Sequence, residues 1–267
     1  MAETKLIIDG HVHIYDCYDL DRFFDATIEN LDKAYLSKCP GDYNAHRVIF
    51  LTESKKNDYF SMFKRKGRFS DKSEYTFADT EEDSSLVLLK NNQPLCYLFA
   101  GRQIVTKEKL EVLSIASTLK IEDGLPIEEV IKKIFDNNGI AVLAWGVGKW
   151  FFKRGDIIRD IIKKYHSANL FIGDSGSRPS LWPKPQLYKI AESYNMKILL
   201  GSDPFPFPEE QSRVGECGIL IDGSFNINTP VNSVLDILLS FKAKVSPLGT
   251  RDNIFRFFKR QIRMSRA

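Results

Sequence analysis

Short apolar runs alternate with helical stretches along most of the chain, and this rhythm constrains the fold more than any other feature of the sequence. We predict strands over 6–14, 47–51, 110–116, 140–144, 170–172, 197–200 and 218–221. We predict helices over 20–36, 55–66, 127–137, 156–166, 186–194 and 231–241. Because each short apolar run is followed by a helical segment, the pattern indicates parallel strands joined by crossover helices.

About seven strand–helix units in 267 residues fit a single-domain α/β fold, a (β/α)7-8 TIM-like barrel that can be distorted. Residues 73–105 break the rhythm, because they alternate apolar and polar residues around the turn signal NNQP. We therefore predict a small antiparallel β-hairpin or meander inserted into the barrel. An open doubly wound sheet is the competing architecture, although no GxGxxG follows the first strand to indicate a dinucleotide-binding version.

The charge balance and the cysteines narrow the class of protein. Lys and Arg exceed Asp and Glu by 38 to 35, and we interpret the resulting net charge of +3 as too weak for a nucleic-acid or membrane partner. Four cysteines without a CxxC pair predict free thiols in a reducing compartment. Because no signal-peptide pattern or bilayer-length apolar stretch is evident, we expect a cytoplasmic protein. The partner that we expect is a small-molecule substrate, and the protein can form a homo-oligomer.

Two of the four histidines form the pair His11-x-His13 at the end of the first predicted strand. Residues i and i+2 of a strand point to the same face, so the two imidazoles converge on one point. A polar pair of this kind is costly in a core without partners. The pair therefore indicates a metal site, and the alternative is two histidines that are hydrogen-bonded in a polar pocket.

The sequence DGHVHIYD around this pair resembles the first strand of the amidohydrolase and PHP groups of metal-dependent hydrolases. Gly201-Ser202-Asp203, after a late apolar run, is similar to a second motif of these groups. The resemblance implies a barrel with metal at the carboxyl ends of its strands, and it implies that Asp203 is a metal ligand, a general base, or both. The chain departs from these families because it lacks the further histidines that they carry on their middle strands.

The remaining metal ligands would therefore be carboxylates, and three acidic residues follow predicted strands: Glu53, Asp174 and Asp203. Each has a structural alternative, namely a helix-start carboxylate for Glu53 and turn-forming residues for the two aspartates. Two histidines with one or two carboxylates suit Zn²⁺, with Mn²⁺ or Fe²⁺ as alternatives, better than Ca²⁺.

Three predicted loops, 145–155, 173–185 and 201–210, combine glycine with aromatic and basic residues. In a barrel they would lie together on one rim. The side chains that we predict to bind substrate there are Lys149, Arg154, Arg178, Trp145 and Trp182. The cations would suit a carboxylate or phosphate group and the aromatics a ring, sugar or acyl group, whereas the alternative is rigid loops with ordinary surface charges.

These observations lead to two functional hypotheses. The first is a metal-dependent hydrolase in which His11 and His13 hold the metal, Asp203 assists as ligand or base, and a metal-activated water attacks a small anionic substrate. The second is a barrel that has lost catalysis and binds a ligand or a partner, because the middle-strand histidines are missing. Metal content distinguishes the two hypotheses.

Overall fold

Twelve strands form two mixed sheets in the computed structural model, which describes residues 3–266. The larger sheet consists of β1 (Glu3–Val12), β2 (Ala45–Leu51), β3 (Tyr75–Asp79), β4 (Ser85–Lys90), β5 (Gln93–Phe99), β11 (Cys217–Ser224) and β12 (Ser246–Gly249). Its order is β12-β11-β1-β2-β5-β4-β3. The smaller sheet consists of β6 (Gly101–Val105), β7 (Glu111–Ile115), β8 (Ile140–Ala144), β9 (Leu170–Ser175) and β10 (Ile198–Gly201). Its order is β10-β9-β8-β7-β6.

Helices connect these strands at most of the predicted positions. They are α1 (Leu20–Lys38), α2 (Tyr59–Lys66), α3 (Ile127–Asp136), α4 (Lys153–Tyr165), α5 (Gln186–Ser193), α6 (Pro230–Leu239), α7 (Ile254–Met264) and a 3₁₀ helix over Pro208–Arg213. In α1 the Asp19 side chain accepts the Arg22 N–H at 3.2 Å, and the buried residues recur at helical spacing. No helix within the described residues is long and apolar enough to cross a membrane.

The predicted (β/α)7-8 barrel is wrong, because several strands pair antiparallel and the strands form two separate mixed sheets. β6 and β7 are joined by only residues 106–110, and a parallel pair needs a crossover of a dozen or more residues. β7 therefore turns back against β6, and it also runs antiparallel to β8. On the other side of the molecule β11 runs antiparallel to β1. A regular parallel ring cannot form from these pairings.

Residues 73–105 contain the predicted antiparallel strands, which divide between the two sheets. β3, β4 and β5 form a meander at the edge of the larger sheet, and β5 also pairs in parallel with β2. β6 follows β5 after a single residue and belongs to the smaller sheet. The segment is therefore the place where the chain passes from one sheet to the other.

The two sheets meet at two places around a shared apolar core. At the first, Gly201 at the end of β10 lies against the backbone of His11, and the Asp203 N–H donates to the His11 carbonyl at 2.9 Å. At the second, Glu53 forms a parallel bridge with Arg102, just beyond β2. Between these places, apolar side chains of both sheets form one buried cluster that includes Leu6, Ile8, Val48, Phe50, Leu113, Val142 and Leu199.

Replacing Gly201 with alanine should destabilise the fold strongly. A Cβ at this position would lie 2.2 Å from the His11 backbone nitrogen, so the two sheets would have to separate. We expect a loss of about 3 kcal/mol in the free energy of unfolding, measured by urea denaturation. Gly124→Ala is the control, because its Cβ would meet nothing within 4 Å. Only the positive φ of this position opposes the change, at a cost of about 1 kcal/mol. Equal losses in the two variants would contradict the proposed role of this contact.

Candidate metal centre

Two histidines at the end of β1 bring their ring nitrogens together. The Nε2 atoms of His11 and His13 are 3.0 Å apart, and the ring centroids are 4.8 Å apart. The side chain of Gln103 completes this side of the site, with its Oε1 atom 3.1 Å from the His11 Nε2. Both histidines are buried. The strand spacing therefore directs two imidazoles at one point, as the sequence predicts.

Asp203 faces the two imidazoles from the loop that follows β10. Its Oδ1 atom lies 3.7 Å from the His11 Nε2 and 3.8 Å from the His13 Nε2. Its Oδ2 atom accepts a hydrogen bond from the Ser175 hydroxyl at 2.8 Å, which orients the carboxylate. The backbone of Asp203 has φ +50°, a left-handed conformation that aspartate tolerates better than most residues. The ligand atoms of His11, His13 and Asp203 lie within 4.8 Å of one another, so this group could hold a metal ion.

The buried carboxylate of Asp9 fixes the backbone around this group. One of its oxygens accepts N–H groups from Ser202 at 2.8 Å and from His11 at 3.2 Å. The other oxygen accepts the Gly215 N–H at 2.9 Å. Burial raises the pKa of Asp9 to about 6, and the hydrogen bonds oppose that rise. Asp9 therefore ties β1, the loop after β10 and the start of the β11 segment to one another.

Burial and neighbouring groups shift the pKa values of two ligand candidates, His13 and Asp203. Burial, followed by the neighbouring His11, lowers the pKa of His13 to about 3, so this imidazole is neutral at physiological pH. Burial acts to raise the pKa of Asp203, but His11, His13, the Ser175 hydrogen bond and Arg260 together hold that pKa below its ordinary value. A neutral imidazole beside an ionised carboxylate is the protonation state that a metal requires.

Arg260 of α7 holds the loop that carries Asp203. Its guanidinium donates to the Asp203 carbonyl at 3.2 Å and lies 3.9 Å above the Phe205 ring. The same group forms ion pairs of 2.7 Å with both Glu210 and Asp252. All three charged side chains are buried, so they are neutralised by one another and not solvated by water. The carboxyl-terminal helix thus contributes to the position of a candidate ligand.

Asp174 and Arg178, two predicted site residues, bind each other. Two guanidinium nitrogens of Arg178 donate to the two Asp174 oxygens, each at 2.8 Å. Arg251 and Tyr188 add hydrogen bonds to the same carboxylate at 2.6 and 3.1 Å. Burial acts to raise the pKa of Asp174, but the bonds from Arg178 and Arg251 hold it below its ordinary value. With these partners Asp174 lies outside the group of converging ligand atoms, and Arg178 is buried instead of lying at a wet rim.

The carboxylate of Glu53 binds backbone N–H groups of a helix. Its carboxylate accepts the backbone N–H groups of Tyr59 and Phe60, which are the first residues of α2. Burial raises the pKa of Glu53 to about 7, against the effect of those N–H groups. The side chain occupies the start of a helix, which is the structural alternative that the sequence offers for this residue. It does not converge with the two histidines.

The predicted substrate-binding cations in the loop after β8 have partners of their own. Lys149 forms an ion pair with Glu111 at the start of β7, and about a third of its side chain is exposed. Arg154 donates to the Gly148 carbonyl at 2.7 Å, so its guanidinium closes the turn before α4. Both cations are half-buried.

The predicted aromatic residues Trp145 and Trp182 line one cavity, together with residues of α4 and α5. Trp145 is buried and Trp182 is half-buried. None of the three converging ligand candidates lines this cavity, so the structure separates the aromatic part of the predicted rim from the histidine pair.

Three residues of the centre escape prediction from sequence. Asp9 belongs to the motif DGHVHIYD, and its signal is an acidic residue inside an otherwise apolar run. Ser175 is visible in GDSGS, but only the fold shows that its hydroxyl reaches Asp203. Gln103 has no local signal, because a glutamine in a strand is usually a surface residue.

Comparisons with known proteins show solved structures of similar fold but no matching family. No protein-family model and no curated protein matches the chain. Among solved structures, PsfC from Pseudomonas syringae PB-5123 is similar, with a TM-score of 0.58 and 14% sequence identity over 92% of both chains. The lesion-specific endonuclease PfuEndoQ from Pyrococcus furiosus has a TM-score of 0.51 and 11% identity, over 90% of this chain and 57% of that chain. At these identities the likeness concerns the fold.

The expectation that nucleic acid is excluded as a partner is wrong, because a chain with this fold is a lesion-specific endonuclease. The net charge of +3 is an average over the whole surface. Phosphate binding depends instead on cations gathered at one place, which a sum over the sequence does not reveal.

Removing the Arg178 guanidinium should destabilise the fold. In Arg178→Met, the buried Asp174 would lose two hydrogen bonds and would be left with Arg251 as its only cation. We expect a loss of about 3 kcal/mol in the free energy of unfolding by urea denaturation, and a smaller loss for Arg178→Lys. Lys184→Met is the control, because its exposed ion pair contributes less than about 1 kcal/mol. An Arg178→Met variant as stable as the wild type would contradict this structural role.

The metal-free protein should lose stability in acid through His13. The folded state keeps this imidazole neutral down to about pH 3, whereas the unfolded chain binds its proton below pH ~6.5. The free energy of unfolding therefore falls as the pH drops below ~6.5, and the loss due to His13 should reach about 2 kcal/mol at pH ~5. His13→Gln removes this contribution, so its free energy of unfolding should depend less on pH than that of the wild type. Parallel curves for the two proteins would refute the assignment.

Proposed function

We propose that this protein is a metal-dependent hydrolase with its centre at His11, His13 and Asp203. The observation that carries the proposal is the convergence of two imidazole nitrogens and one carboxylate oxygen within 4.8 Å. Two nitrogens bound to one tetrahedral Zn²⁺ lie about 3.3 Å apart, given Zn–N distances of about 2.0 Å. The 3.0 Å between the two Nε2 atoms is close to that separation, so the donor set fits a divalent metal of the zinc, manganese or iron class.

The chain's own residues have distinct parts in this proposal. A bound divalent metal would supply Lewis-acid activation of water and of the scissile bond. His11 and His13 would hold it through Nε2 as neutral donors, so the His11 Nε2 would give up its hydrogen bond with the Gln103 Oε1 when the metal binds. Asp203 would use its Oδ1 atom as a ligand or as the acceptor of the proton that the attacking water releases. Its Oδ2 atom is already held by Ser175.

The narrower part of the proposal concerns the substrate and the family. Lys149 is the cation that we assign to an anionic substrate group, because its side chain is about one-third exposed and faces Glu111, which a substrate anion could replace. A small anionic substrate agrees with this assignment. The similarity in fold to an endonuclease makes a phosphodiester of DNA a second substrate to be tested. Membership of the amidohydrolase or PHP groups belongs to the same proposal.

Metal binding tests the proposal directly. Protein purified without a histidine tag should contain about one transition metal per chain by elemental analysis, and a chelator should remove it. His11→Ala and His13→Ala should each weaken metal binding by more than about 100-fold, because each removes a ligand. His166→Ala is the matched control, since this histidine stacks on Tyr194, outside the centre. Wild-type protein without metal would contradict the proposal and would favour a ligand-binding protein.

Activity is tested on metal-loaded protein with nitrophenyl esters of phosphate and of carboxylic acids, a nitroanilide, and a duplex DNA. We expect hydrolysis of at least one of them to depend on the metal and to disappear in His11→Ala. Asp203→Asn should reduce turnover more than it reduces metal content, because the amide cannot accept a proton. A metal-loaded protein that hydrolyses none of these bonds would refute the hydrolase assignment.

A further inference from the structure

All three tryptophans of the chain line one cavity of about 670 Å³. Trp145 and Trp150 belong to the loop after β8, and Trp182 belongs to the loop after β9. Phe151 and Phe152 lie at the same cavity, beside the start of α4. A volume between about 300 and 1,000 Å³ is typical of small-molecule sites, and such sites are mostly apolar and aromatic. The concentration of aromatic side chains is the first argument for a ligand site.

The inner wall of the cavity is rigid. The Trp150 Nε1 atom donates to the Ala144 carbonyl at 3.1 Å, and its ring meets Tyr188 edge to face at 5.8 Å between centroids. Gly155 allows α4 to pack against this turn, because a Cβ there would lie 2.6 Å from the Trp150 carbonyl oxygen. The indole of Trp150 is therefore fixed by a hydrogen bond, by an aromatic contact and by the helix behind it.

The outer wall is formed by Trp182 of the neighbouring loop. Its ring packs on Phe257 of α7, with 5.0 Å between centroids. The Trp182 carbonyl accepts a hydrogen bond from Arg178 at 3.3 Å, which anchors the backbone. One side of this ring is thus supported by the protein, and the residue lines the cavity as well.

The mouth of the cavity exposes aromatic surface to solvent. Phe151 is 61% exposed and Phe152 is 92% exposed. Phe152 has φ +54° and ψ −135°, a conformation that is unfavourable for a bulky residue and is found where function or packing enforces it. The strained turn keeps two phenylalanines at the opening instead of in the core.

The charged groups around the cavity compensate one another. Arg178 pairs with Asp174, and Arg159 pairs with Asp156 at 2.5 Å. Lys184, at the edge of the cavity, pairs with Glu192. Each cation that lines the cavity therefore has a carboxylate partner, and Asp174 also pairs with Arg251 behind it. An anionic ligand would have to displace one of these carboxylates, whereas an uncharged one would not.

We infer that this cavity binds an uncharged aromatic ring, held between the indoles of Trp150 and Trp182 with Phe151 at the mouth. Aromatic side chains recognise such a ring through stacked and edge-to-face contacts, which a saturated ring of equal size cannot make. The inference goes beyond the proposed hydrolase function, because none of the candidate metal ligands lines the cavity. It can be tested in metal-free protein.

Tryptophan fluorescence reports on this cavity, because every tryptophan lines it. The probes are benzamide, its saturated analogue cyclohexanecarboxamide, and its charged analogue benzoate, each titrated into metal-free protein. We expect benzamide to give a saturable change in emission. Cyclohexanecarboxamide should bind about two- to tenfold more weakly because it lacks the aromatic contacts, and benzoate about tenfold more weakly because its charge has no free cation to meet.

Variants establish where the probe binds. Trp182→Ala should weaken benzamide binding about tenfold, and Phe151→Ala should weaken it several-fold. The second variant guards against loss of folding in the first, since Phe151 is largely exposed. Phe241→Ala is the control, as this phenylalanine is 94% exposed and lies outside the cavity.

Three outcomes of the probe titrations would overturn the inference. They are the absence of saturable benzamide binding, tighter binding of benzoate than of benzamide, and unchanged binding in both cavity variants. An emission change that follows protein concentration without any probe would also overturn it, because a second copy of the chain would then cover the mouth. None of these outcomes bears on metal binding, so the inference and the hydrolase proposal can fail separately.

Discussion

The close approach of β1 and β10 is the contact on which the candidate metal centre depends. Gly201 allows the two backbones to touch, because any side chain there would collide with His11. The buried Asp9 carboxylate then holds three backbone N–H groups from both sides of this contact. An Asp203 that left β10 at another angle would not face the histidines, so the chemistry rests on a backbone contact as much as on the ligand side chains.

Paired charges hold the loops around this contact. Arg260 joins α7 to the loop of Asp203 through two buried carboxylates, and Arg178 grips Asp174 with both branches of its guanidinium. Buried ion pairs contribute little net stability on average, but breaking one of them is costly. Here they keep the loops in one arrangement. A candidate metal centre needs this, because its ligands have to be held in place before a metal binds. Arg178, a predicted substrate contact, thus has its partner within the protein.

The structure separates two surfaces that the linear sequence suggests are one. The histidine pair lies where the two sheets meet, and the aromatic cavity lies beyond β8 and β9, between the starts of α4 and α5. The histidine group carries metal-ligating atoms, whereas the cavity is lined mainly by aromatic rings and by cations that already have carboxylate partners. The proposed metal centre and the proposed ring-binding cavity are therefore built from different residues.

Local spacing alone determined the histidine pair, because residues i and i+2 of a strand point to the same face in any tertiary structure. It also determined most helices, whose apolar spacing and caps are local. Tertiary structure decided the rest. Strand direction depended on the short connection of 106–110, which turned an expected barrel into two mixed sheets. Asp203 and Asp174 each follow a strand predicted from sequence and look alike there. One nevertheless faces imidazoles and the other a guanidinium, because the tertiary structure decides which groups surround each carboxylate.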